Sequence, residues 1–168
     1  MVSVQRSSQS ENKPRLTPCL EEVAYLELLR STDMLSRPLA QVLKSDDLSS
    51  TQYNVLRILR GTPEGLLCGE IARRMITRDP DITRILDRLE KRGLIARSRP
   101  DCDRRRMLAR IQPDGLALLA RIDDPICQIH REQLGSLGAG RMRQLMELLE
   151  ACREIGRASC RERVYLAV

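Results

Sequence analysis

One stretch constrains the fold of this chain more than any other. Asp79 and Pro80 open it, Ile82, Ile85, Leu86 and Leu89 follow at i, i+3, i+4 and i+7, and Gly93 closes it. That spacing is the period of a helix with one apolar face, and the residues at its two ends are types that favour helix entry and exit. The pattern predicts a helix capped by Asp79, with Pro80 at its first position. Its other face carries Asp81, Arg84, Asp87, Arg88 and Lys91. Directly beyond it, residues 95–99 and 107–111 alternate apolar and polar side chains around a polar tip, Pro100 to Arg106, as a two-stranded hairpin does.

The segments before it are also helical in period. Ser49 and Ser50 precede Tyr53, Leu56 and Leu59, and Gly61 follows, which predicts a helix of about three turns with a hydroxyl cap. Leu66 to Cys68 is long enough only for an edge strand, and a short helix with Ile71, Ala72 and Met75 comes next. Two helices joined by a short turn, the second with a cationic outer face, make a helix-turn-helix whose second helix can enter a DNA major groove. The hairpin is then its wing. Upstream, Thr17 and Pro18 fit a cap and first position for a helix running to about Leu43, with a kink or break expected near Arg37 because of Pro38. Residues 1–17 read as a disordered arm. Downstream, helical spacing returns from Pro113, Asp124-Pro125 marks a kink or a new segment, and a last helix carries Met142, Leu145, Met146, Leu149 and Cys152. The expected class is mainly α (α+β).

With 168 residues, no Phe, no Trp and three Tyr, the chain can bury one ordinary core, and that core must be aliphatic. No run approaches the roughly 20 apolar residues of a membrane span, and the N-terminus lacks an apolar signal segment, so a cytoplasmic protein is expected. Six cysteines stand singly, with no C-x-x-C pair, which speaks against a disulfide scaffold and a zinc site. Neither a metal nor a cofactor is called for. A single histidine, His130, and the absence of G-x-S-x-G, H-E-x-x-H or a phosphate-binding glycine loop leave an enzyme without its chemistry.

The net charge of +6 is concentrated: residues 68–112 hold 13 basic and 7 acidic side chains, whereas residues 1–67 hold 8 of each. Of the 29 basic residues 26 are Arg, whose planar fork suits phosphates and base edges. This places nucleic acid ahead of a membrane surface as the partner. Arg84, Arg88 and Lys91, at i, i+4 and i+7, share one helix edge turned away from the Ile/Leu face.

Asp79 to Leu94, followed by Asp103 to Ile111 and Gly115, resembles the recognition helix and wing of MarR-type transcriptional regulators, and the likeness extends over about 18–154. One departure is Gln112, where the family usually has Thr; it bears on a local cap after the wing and not on the fold. The resemblance implies a dimeric winged helix-turn-helix repressor, occasionally an activator, bound to a pseudo-palindromic operator and controlled by a small, often phenolic or aromatic, ligand or by thiol oxidation. It implies a DNA-binding unit over 49–112, dimerisation helices over 18–48 and 113–154, and an effector pocket between them.

By position, the resemblance puts Asp81, Thr83 and Arg84 at base edges or phosphates. It makes Arg105 the wing arginine of the minor groove and Asp103 the acid that holds it. A narrow minor groove attracts an inserted arginine, which Arg104, Arg105 or Arg106 could supply. Two other functions compete. A redox-sensing repressor would use a cysteine in the first helix, but the family's position falls nearer Tyr25 than Cys19. An architectural DNA-binding protein would act without an effector. Finally, residues 155–164 resemble the translation of a sequencing-adapter oligonucleotide, so 155–168 is read as a non-native tail.

Overall fold

The computed structural model describes residues 18–77, 81–99 and 106–165. Two compact units divide between Ser36 and Arg37. Helix α1, Leu20–Ser45, runs through both. It starts two residues later than the sequence suggests, and Thr17 lies outside the described residues. Pro38 neither breaks nor ends it. That proline has no N–H to give to the carbonyl of Met34, yet the following turns are held by burial: Leu43 is fully buried, and Leu39 and Val42 pack on the core. In the first unit, Leu20, Tyr25 and Leu29 of α1 stand exposed.

The second unit carries the winged fold. Helix α1 ends in a Schellman turn: Asp47 takes the left-handed conformation (φ 51°) and donates its N–H to Lys44 O, and the N–H of Leu48 returns to Leu43 O. Helix α2, Ser50–Arg60, opens on a reciprocal capping box in which Ser49 Oγ accepts from Gln52 N–H and Gln52 Oε1 accepts from Ser49 N–H. It stops at Gly61, as its sequence predicts. Strand β1, Leu66–Leu67, leads straight into α3, Cys68–Arg74. Helix α4 spans Ile82–Lys91, and its cap is Asp81 rather than Asp79. Asp79 and Pro80 lie outside the described residues.

Strands β2, Ile95–Ser98, and β3, Leu108–Ile111, pair antiparallel with Ile95 opposite Ile111 and Ser98 opposite Leu108. Strand β1 adds to β3 from the other side, giving the order β1-β3-β2. The expected hairpin and edge strand are thus one three-stranded sheet.

Helix α5, Pro113–Leu134, starts on Gln112, which makes no side-chain cap bond, the consequence expected from a Gln where Thr is usual. It runs unbroken through Pro125, so Asp124-Pro125 starts no new helix. Gly115 is where α5 meets the sheet: a Cβ there would lie 2.4 Å from the Leu94 carbonyl oxygen, so only glycine fits without a backbone shift. A single 3-10 turn, Gly135–Leu137, joins α5 to α6, Gly138–Tyr165. The core is aliphatic as composition requires, built from Leu43, Leu56, Leu59, Ile71, Leu86, Leu89, Ile95, Leu119 and Ile122, with Tyr53 at its margin. The architecture is mainly helical, with a winged helix-turn-helix at its centre. Among the described residues no helix is long and apolar enough to cross a membrane.

Candidate nucleic-acid interface

Helix α4 is set by its apolar face. Ile85, Leu86 and Leu89 are buried, with Ile82 packed at the edge, so the opposite side must face outward. Thr83, Arg84, Arg88 and Lys91 are exposed there, as is Asp81 at the helix start. The Asp81 carboxylate accepts the N–H of Arg84 at 3.1 Å, satisfying one of the amides that the first turn leaves without an intrahelical partner. Arg106 is exposed at the foot of the wing. Asp103, Arg104, Arg105 and Cys102 lie outside the described residues.

The acidic side chains of α4 are occupied, a feature the sequence reading missed. Arg97 of β2 reaches back to the helix. Its guanidinium donates to Glu90 Oε2 through Nε (2.8 Å) and Nη2 (2.6 Å), and Nη2 also meets Asp87 Oδ1 at 2.5 Å. Its backbone N–H donates to Glu90 Oε1 at 3.0 Å. The Arg97 side chain is only 17% exposed. Hydrogen bonding from Arg97 holds the Glu90 carboxyl below its ordinary range, and the same bonds push the Arg97 guanidinium still further up. The electrostatic result is selective. Asp87 and Glu90 share a largely buried arginine whose single charge offsets one of their two, while Arg84, Arg88 and Lys91 keep their charge for the surface. The signal in sequence is faint, because Arg97 reads as an outward polar position in an alternating strand.

The structure brings Thr83 and Arg106 to one cleft of about 670 Å3, with Arg73 of α3 and Arg97 on its walls. Arg88 lines a different cleft. In the first of these, Cys68 packs between α3 and the sheet, its thiol donating to Met107 O at 3.4 Å and pushed up in pKa by burial, which keeps it protonated. Cys19, the other thiol of interest, is exposed just before α1.

A third cavity, about 580 Å3, lies between α2 and α5 with the start of α6. Ile126, Leu134 and Met142 give it an apolar lining, and Tyr53, Arg57, Arg60, His130 and Arg131 border it. Arg57 stands 5.7 Å over the Tyr53 ring, and Arg60 is tied to Asp123 at 2.6 Å. Burial raises the Tyr53 phenol above its ordinary pKa, so it stays a neutral donor.

A basic helix edge beside a short wing is the geometry of DNA readers, and comparison with known proteins gives it a family. The MarR family model matches residues 48–107. The homoprotocatechuate degradative operon repressor of Escherichia coli is 30% identical over 128 residues, covering 76% of this chain and 84% of that protein. A MarR transcription factor of Planctomyces limnophilus is 37% identical, with a TM-score of 0.63 over 80% of this chain and 98% of that one. Bordetella bronchiseptica BpsR, whose DNA binding is regulated by 6-hydroxynicotinic acid, shares the fold at 23% identity and a TM-score of 0.72, covering 82% and 97%. The match thus spans the helices on both sides of the winged unit as well as the unit itself, and the chain belongs to the MarR family of transcriptional regulators and is not an enzyme.

Proposed function

We propose that this chain is a homodimeric repressor that binds a pseudo-palindromic DNA site through α4 and the wing, and releases it when a small aromatic or phenolic molecule enters the cavity between α2 and α5. The observation that carries the reading is the exposed edge Arg84, Arg88 and Lys91, on a helix whose acidic side chains Asp87 and Glu90 are held by Arg97. In this reading 49–112 is the DNA-binding unit, and 18–48 with 113–154 are the dimerisation helices. Asp81 sets the first turn of α4, Thr83 and Arg84 face base edges, and Arg88 faces the backbone. Arg104, Arg105 and Arg106 supply the minor-groove contact, with Asp103 as support. Residues 155–168 stand outside the functional fold.

Three things favour an effector. The cavity is large enough for a small aromatic molecule, its wall is mostly apolar, and Arg57, Arg60 and Arg131 at its border suit an acidic substituent. The Escherichia coli relative represses a homoprotocatechuate degradative operon, and BpsR answers to 6-hydroxynicotinic acid.

The test is a fluorescence-anisotropy titration against the gene's own upstream DNA and a scrambled duplex at two salt concentrations. The expected result is a preference of about 10³-fold or more with steep weakening by salt. Arg84→Ala is expected to cost about 1–3 kcal/mol and relax the preference, whereas Arg106→Ala weakens both duplexes alike. Salt-sensitive binding without preference means either that the operator lies elsewhere or that this is an architectural protein, and no binding to either duplex overturns the reading.

A further inference from the structure

The basic edge of α4 does not stop at Lys91. A cleft of about 520 Å3 opens beside the last turn of that helix, with Arg88, Lys91 and Arg92 on one wall and Lys44, Asp47 and Gln52 on the other. Four of these six side chains are cationic and one is anionic. Arg92 is fixed: its guanidinium donates to the carbonyl oxygens of Asp46 (2.8 Å) and Asp47 (2.5 Å), which clamps the Schellman turn of α1 against α4 without cancelling the charge. Lys44, Arg88 and Lys91 are exposed, and none has an ion-pair partner among the described residues. Crowding four cations around one concave site raises a positive potential that an anion with several acceptor oxygens relieves, and phosphate is the group of that shape.

We propose that this cleft receives a backbone phosphate of duplex DNA, with Lys44 of α1 as the cation furthest from the base-reading end. The proposal rests on the DNA-binding reading above and extends it to a helix outside the winged unit. Reach supports it. From Arg84 to Lys91 is seven residues, about 10 Å of helix at 1.5 Å each, close to the ~12 Å width of a major groove. With the start of α4 at the base edges, its last turn arrives at the groove wall, where the phosphates are. Lys44 then stands beside Lys91 at that wall, held there by the turn that Arg92 clamps. A contact of this kind adds affinity for every sequence and none for a particular one.

The probe is a random-sequence duplex of about 30 base pairs at low salt, because non-specific binding reads phosphate contacts alone. The full chain, Lys44→Gln, Lys44→Arg and Arg143→Gln are titrated against it over a range of KCl. Arg143 is an exposed cation on α6, so its variant loses the same charge outside the cleft. The expected result is a weakening of about fivefold to tenfold for Lys44→Gln, with the slope of log K against log[salt] reduced by about one per protomer. Lys44→Arg keeps the slope, and Arg143→Gln leaves it unchanged. A Lys44→Gln slope equal to that of the parent chain overturns the proposal while leaving DNA binding intact, and so does an equal change in Lys44→Gln and Arg143→Gln, which is an effect of net charge. No binding by the parent chain to any duplex removes the DNA-binding reading itself. Inorganic phosphate is titrated in parallel by ³¹P line broadening. Phosphate binding that Lys44→Gln abolishes, with DNA binding untouched, makes the cleft a site for free phosphate and overturns the DNA source.

Discussion

At the scale of single residues, the start of α4 depends on which of two aspartates caps it. Asp79 and Asp81 are both able to do so, and Pro80 at the first helical position favours Asp79 on sequence grounds. The helix begins at Ile82, and Asp81 accepts the Arg84 amide. Asp81 then fixes where Thr83 and Arg84 project. Asp81→Ala is expected to lower stability by about 1 kcal/mol in urea denaturation, while Asp81→Asn, an equally good cap, stays within a few tenths. If Asn instead alters sequence preference in DNA titrations with stability unchanged, the side chain reads bases and the capping role is secondary. The cap was half legible: its residue type was plain, its position was not, because the preference of proline for the first helical position pointed to Asp79, two residues before the aspartate that caps. Gln112 was fully legible, since a side chain too long to cap its own helix is a property of the residue.

At the scale of elements, Arg97 decides how the wing sits on α4. One guanidinium bridges Asp87 and Glu90 and so joins strand β2 to the helix before it. This pairing was illegible in sequence because it depends on the chain turning back at Gly93, which brings β2 alongside α4. The two prolines show the opposite limit. Pro38 and Pro125 each predict a kink or a break by a local steric rule, and neither breaks its helix, because Leu43 in one and Ile122 and Ile126 in the other anchor the turns around them in the core.

The Arg97 bridge has a pH signature. Glu90 is held below its ordinary pKa in the folded chain, so its contribution is present above the ordinary carboxylate value and lost as pH falls through the folded one. Arg97→Gln is expected to be less stable by about 1–2 kcal/mol at neutral pH, the pair being partly exposed, with the gap closing below about pH 4. Urea midpoints of both proteins across that range are the measurement. A gap that stays constant with pH means that packing of the arginine, and not its charge, holds the wing.

At the scale of the whole molecule, the aliphatic core accounts for the winged unit and leaves other apolar side chains uncovered. On α1, Leu20 is 78% exposed, Tyr25 60% and Leu29 50%. On α6, Met146 and Leu148 are exposed to a similar degree. Soluble chains seldom leave so many large apolar groups in water on two helices unless another surface covers them. A second copy is the covering surface this fold favours, since a two-fold pair presents two α4 helices to two half-sites. Sedimentation equilibrium should then give the mass of two chains. Leu29→Glu places a charge within the uncovered face of α1 without touching the core of the winged unit. It is expected to shift the population to monomer and to weaken binding to the upstream duplex by about 10²-fold or more, the loss that follows when two linked contacts become one. Circular dichroism and urea melting of the same variant separate this from unfolding. A Leu29→Glu chain that remains a dimer moves the interface away from this part of α1, and a parent chain that binds DNA tightly as a monomer removes the need for one.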